Sequence, residues 1–177
     1  MNSAEKTISS TLIYEGKNIK LVKEEIVTPD GHKSVRDIVR HKGACAILAK
    51  AEGKLIFIKQ YRKALDKVIY ELPAGCIEKG EDITLCASRE LNEETGYEAD
   101  KLTLLSSVYT TPGFSDEIIH IFYAENTKKA EVKKDADVDE YIDVLLIDEA
   151  EVERMIIEGE IVDSKTICAL YLYKNKK

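Results

Sequence analysis

Turn-forming residues cut the first part of the chain into short runs rich in β-branched side chains, the pattern of strands. Ile19–Ile26 and Ser34–Val39 flank Pro29-Asp30-Gly31, a strong turn signal. Gly43–Leu48 (GACAIL) and Leu55–Ile58 (LIFI) bracket Glu52-Gly53-Lys54, which reads as a hairpin, and Val68–Leu72 is a short strand stopped by Pro73. From Asp82 to Thr95 the spacing turns helical and closes on Gly96, the residue expected just past a helix end. Strands resume at Leu102–Tyr109, Glu117–Tyr123 and Tyr141–Ile147. Helices follow over Glu149–Glu158 and Ser164–Lys174, with Asp163 or Ser164 as cap. Lys128–Asp139 is highly charged and predicts an exposed loop. The order of strands, helix, strands and helices, without a repeat, predicts a mixed α/β architecture.

The helix over Asp82–Thr95 breaks the usual division of faces. At about 100° per residue, Ile83, Ala87 and Leu91 share one broad face. Glu90 and Glu94 fall on that same face, with Glu93 at its edge. Carboxylates beside a core face are costly unless cations or metal ions pair with them. Their spacing also crowds their oxygens together. Hard oxygen donors clustered in this way suit Mg²⁺ or Mn²⁺, which keep waters and bind substrate phosphates.

Composition narrows the class. The 177 residues suffice for a sizeable core without a disulfide or metal staple. Lys+Arg 26 against Asp+Glu 33 gives a net charge of -7, which argues against a nucleic-acid partner. No apolar run approaches the roughly 20 residues that span a bilayer, and MNSAEKT has no signal-peptide pattern, so the expected compartment is the cytoplasm. Cys45, Cys76, Cys86 and Cys168 form no C-x-x-C pair, so reduced thiols are expected, with neither a zinc site nor a catalytic cysteine.

Gly75, Glu81, Arg89, Glu90, Leu91, Glu93, Glu94, Gly96 and Tyr97 reproduce the Nudix box, G-x5-E-x7-R-E-U-x-E-E-x-G-U, where U is bulky and apolar. Tyr97 stands where an aliphatic residue is usual. The chain therefore resembles a Nudix hydrolase over most of its length. The resemblance implies an α/β/α sandwich around a mixed sheet, with an N-terminal antiparallel sheet used in dimerisation. Residues 1–40 would form the dimer arm and 41–177 the hydrolase domain.

The resemblance also implies roles. Glu90 and Glu94 would be the principal Mg²⁺ ligands (Mn²⁺ being the alternative), with Glu93 assisting and the backbone carbonyl of Ala74 completing the set. Arg89 would orient Glu93 by an ion pair, and Glu81 would be either a metal contact or part of that network. Pro112, fifteen residues after Tyr97, opens Gly113-Phe114-Ser115-Asp116-Glu117, which resembles the ADP-ribose pyrophosphatase subfamily. That implies substrate contacts at Arg62, Phe114 and Asp116, and at Arg36 in an arm exchanged with the partner of a homodimer. Phe114 or Tyr14 would stack on the base or pack in the core. The general base would be Glu140, with Asp139 next, in the loop before Tyr141–Ile147. The implied reaction is hydrolysis of ADP-ribose to AMP and ribose 5-phosphate. The alternatives are another nucleoside diphosphate sugar, or a non-catalytic ADP-ribose-binding sensor.

Overall fold

The computed structural model describes residues 3–134 and 141–175. Two compact units divide the chain. The first ends at Gly43 and also takes in Tyr109–Ile118; the second comprises Ala44–Val108 and Ile119 onward.

In the first unit, β1 (Lys6–Glu15), β2 (Ile19–Val27) and β3 (Lys33–His41) form a three-stranded antiparallel sheet. The Pro29-Asp30-Gly31 turn forms as expected, with Gly31 at φ 92°, a conformation glycine adopts without steric cost. β1 had no pattern of its own to announce it: every residue is exposed, and its pairing with β2 is interrupted between Thr7 and Ser9 and between Leu12 and Tyr14. β3 ends at His41, two residues past the Val39 expected for that strand. The Tyr109–Ile118 segment joins this unit because Val39 N–H donates to the Phe114 carbonyl (2.8 Å) and Asp116 N–H to that of Val39 (3.2 Å).

The second unit is built on a seven-stranded mixed sheet. Its path runs β10 (Ile142–Ile147), β5 (Lys54–Arg62), β4 (Ala44–Ala51), β9 (Ile118–Lys129), β8 (Tyr97–Tyr109), with β6 (Lys67–Glu71) beside β5 and β7 (Ala74–Cys76) beside β4. β4 lies parallel to β9 and antiparallel to β5 and β7. β4 and β5 read as unbroken apolar runs because both sheet faces are covered. Ala44, Ala46, Leu48, Leu55 and Phe57 pack on one side with α2 (Glu149–Ile157) and α3 (Ser164–Asn175). Cys45, Ile47, Ala49 and Ile56 pack on the other with Cys86, Ala87 and Leu91 of α1 (Ile83–Thr95). The layers are helix, sheet, helix, the expected sandwich.

Several strand limits differ from expectation. β8 begins at Tyr97 instead of Leu102, and β9 continues to Lys129, into the expected loop. Polar cross-strand pairs hold these extensions where apolar periodicity fails: Lys101 and Thr103 on Glu125 (2.9 and 2.8 Å), and Lys128 on Glu98 (3.4 Å). β7 is only three residues long and exists by its pairing with β4.

Candidate metal-dependent active site

Asp82 caps α1, its Oδ1 accepting from Thr84 N (2.8 Å) and Leu85 N (3.3 Å), and Gly96 ends the helix at φ 73°. Between these limits the register is fixed, and it turns Glu90 and Glu94 inward with Ala87 and Leu91. Glu90 is 8% exposed and Glu94 2%. Glu93 is half-buried at the rim.

The short strand β7 meets these glutamates. Ala74 N–H donates to Glu94 Oε2 (2.8 Å). The Glu90 carboxylate occupies the space where any side chain at Gly75 would begin, so glycine is required there for close approach. Arg89 joins the remaining acids. Its Nε and Nη2 meet both oxygens of Glu81 (2.8 and 3.0 Å), and its Nη1 meets Glu90 (2.6 Å) and Glu93 (3.0 Å). Its Nη2 also donates to the Cys76 carbonyl (3.2 Å). Glu81 thus belongs to the ion-pair network. Arg89 holds its carboxyl down to about 2, against an ordinary 4.5, and the bonds to Glu81 in turn push the Arg89 pKa up.

Buried carboxylate oxygens beside the backbone of β7 form a hard-oxygen donor set that fits Mg²⁺. Among the described residues, no three His, Cys, Asp or Glu side chains form a closed metal cage. Mg²⁺ does not require one, since it binds through one or two carboxylates together with waters and substrate phosphates.

A second charged cluster lies in the same unit. Arg62, at the end of β5, forms a bidentate pair with Glu71 (2.6 and 2.9 Å), and Lys165 Nζ pairs with Glu71 and with Asp163 (3.1 Å for the latter). Burial pushes the Glu71 carboxyl up, but the Arg62 hydrogen bonds and the Lys165 charge outweigh it and hold the group below its usual range. Sequence reading singled out Arg62 and missed Glu71, Lys165 and Thr166. Its available signal was a charged residue at the end of an otherwise apolar strand.

In the first unit, Arg36, Phe114 and Asp116 come together around a cavity of about 290 Å³ that Glu5 and Arg40 also line. Arg36 pairs with Glu5 and donates to Ser34 Oγ and the Val35 carbonyl (both 3.0 Å). The Phe114 ring is exposed, as is Tyr14 on β1. Asp116 engages both oxygens within the chain, accepting from His41 N (2.8 Å) and Arg40 Nη1 (3.2 Å). Glu140 and Asp139 lie outside the described residues.

The family model described as the NUDIX domain matches residues 39–168. Over 174 residues the chain is 44% identical to the ADP-ribose pyrophosphatase of Bacillus subtilis (strain 168), spanning 98% of this chain and 94% of that protein. It is 45% identical over 167 residues to a protein of Bacillus methanolicus named Methanol dehydrogenase activator, spanning 94% and 90%. A solved structure described as an ADP compounds hydrolase shares the fold, with a TM-score of 0.84 over 96% of this chain and 92% of that one at 18% identity. With its glutamate-bearing helix seated on Ala74 and Gly75 of β7 and this extent of similarity, the chain belongs to the NUDIX family.

Proposed function

We propose that this protein hydrolyses the diphosphate of ADP-ribose to AMP and ribose 5-phosphate in the presence of Mg²⁺, with Mn²⁺ as the alternative ion. The observation that carries the reading is the seating of buried Glu90 and Glu94 against Ala74 and Gly75. It is supported by 44% identity to a protein named ADP-ribose pyrophosphatase.

Glu90, Glu94 and the Ala74 carbonyl would hold the cation, with Glu93 assisting. The chemistry a divalent ion supplies there is neutralisation of the diphosphate charge and a lowered pKa for the attacking water. Without that neutralisation, these carboxylates would repel an anionic substrate. Arg89 fixes the orientation of Glu90 and Glu93. Arg36, Arg62, Phe114 and Asp116 contact the substrate, and Asp116 also holds its own turn through His41 N and Arg40. Glu140, assigned by its place before β10, takes the proton from water.

The protein acts as a homodimer with exchanged N-terminal strands in the cytoplasm. Exposure of Ile8, Leu12, Ile13 and Tyr14 along β1 supports a covering partner copy. Among the described residues, no helix is long and apolar enough to cross a membrane.

A panel of nucleoside diphosphate sugars incubated with Mg²⁺, with products resolved by chromatography, tests the assignment. ADP-ribose should be the fastest substrate and yield AMP with ribose 5-phosphate; faster cleavage of another sugar nucleotide would replace it. The name of the Bacillus methanolicus relative favours a second reading, in which the chain acts on a dehydrogenase. Dehydrogenase turnover with the wild-type chain or with Glu94→Gln, at fixed nucleotide, separates the two.

A further inference from the structure

The first turn of α3 reaches across to the strand end that leads into the metal site, and it does so through a hydroxyl buried among apolar neighbours. Thr166 is fully buried, close to Ala169 and Leu170. Its Oγ1 accepts from Leu72 N (3.0 Å) and donates to Asp163 Oδ2 (2.6 Å). A hydroxyl has one proton, so these two bonds fix its orientation. Asp163 Oδ2 also caps the helix through Thr166 N (3.1 Å), and Asp163 Oδ1 accepts from Lys165 Nζ (3.1 Å). Lys165 in turn grips Glu71, the residue before Leu72. Two consecutive residues of the β6 end are thereby held from α3, one by its backbone and one by its side chain.

Little slack separates this grip from the glutamates. Pro73 follows Leu72, its φ fixed by the ring and its carbonyl accepting from Ile47 N (2.9 Å). The next residue is Ala74, whose N–H binds Glu94. A displacement at Leu72 is therefore passed to Ala74, and with it to a carboxylate that would ligate the ion.

We propose that Thr166 and Lys165 are positioning residues for the metal site, holding Glu71–Leu72 so that Ala74 and Glu94 keep the separation the ion requires. The proposal rests on the reading of Glu90 and Glu94 as metal ligands. Thr166→Val keeps the side-chain volume and removes the hydroxyl, and Thr166→Ser restores it. In the full-length protein, Mn²⁺ affinity is read from the electron paramagnetic resonance of the free ion, and kcat and KM are measured separately at saturating Mg²⁺. Thr166→Val should weaken Mn²⁺ binding about tenfold and lower kcat with KM near wild type, and Thr166→Ser should recover both. If Thr166→Val lowers only the melting temperature, with Mn²⁺ affinity and kcat unchanged, the role is structural and the proposal is overturned. Should Thr166→Val not fold, Lys165→Met decides by the same two readouts. Glu94→Gln is the control. If Glu94→Gln loses Mn²⁺ while the α3 variants keep it, only the clamp is wrong. If Glu94→Gln binds Mn²⁺ like wild type, the ligand assignment fails and the clamp with it.

Discussion

Two charged knots sit in the same unit and are balanced in opposite ways. At Arg89, three carboxylates converge on one guanidinium: Glu81, Glu90 and Glu93. At Glu71, two cations, Arg62 and Lys165, share one buried carboxylate, and Asp163 balances the second of them. In the Glu71 knot the two cations are matched by Glu71 and Asp163, so the charges named there cancel. Among the pairs named, the Arg89 knot sets more carboxylates than cations on a helix face that also packs core residues, which supports the cation proposed above. The two clusters thus differ in the balance of the charges named, although both set buried glutamates beside an arginine.

The largest effect is expected at Glu94, one turn beyond Glu90 on the same helix face. Glu94→Gln should lower turnover by about 10³-fold, several kcal/mol of lost stabilisation, while circular dichroism stays that of the wild type. Glu71→Gln should act mainly on the fold, with a smaller loss of metal affinity passed through the α3 contacts proposed above. It strips Lys165 of its principal partner and should cost about 3 kcal/mol of folding free energy in urea titration, the half-open Arg62 side chain sparing part of the penalty. A Glu71→Gln protein that is as resistant to urea as wild type would erase the distinction between the knots. Gly75→Ala comes next. The new methyl displaces the Glu90 carboxylate rather than backbone; that carboxylate is buried and held by Arg89, so the melting temperature should fall modestly while metal affinity, read by calorimetric titration, falls about tenfold.

The smallest effect concerns acid. Arg89 depresses the Glu81 carboxyl from 4.5 to about 2, so its ion pair stabilises the fold fully above pH 4.5. That contribution is lost as the pH falls toward 2, because the unfolded chain takes up the proton first. Glu71, also depressed, follows the same sign. Melting temperatures recorded from pH 5 to pH 2 should fall less steeply in Glu81→Gln than in wild type. Parallel curves would remove Glu81 from the network.

The α1 region was readable in the sequence because its determinants are local: a cap at Asp82, a glycine at the far end, and glutamates on the same face as Ala87 and Leu91. The Glu71 knot was not, since Lys165 lies 94 residues away and no short-range pattern couples them. β1 escaped for another reason. With every residue exposed it has no buried face to impose alternation, and only pairing with β2 defines it. The beginning of β8 was missed because polar pairs across to β9, rather than apolar periodicity, hold it in place.

Cys45 on β4 and Cys86 on α1 are both fully buried, while Cys76 and Cys168 are half-buried. A hydrogen bond with Cys45, together with burial, pushes the Cys86 thiol far above its usual range, so it stays protonated and inert. An alkylating reagent can therefore modify this pair only when α1 lifts away from β4. Two fast and two slow mass increments in one sample would time that event, and the slow rate reports the free energy of local opening. The protein contains its own clock for the seating of the helix that bears Glu90 and Glu94, readable by intact mass without any added label.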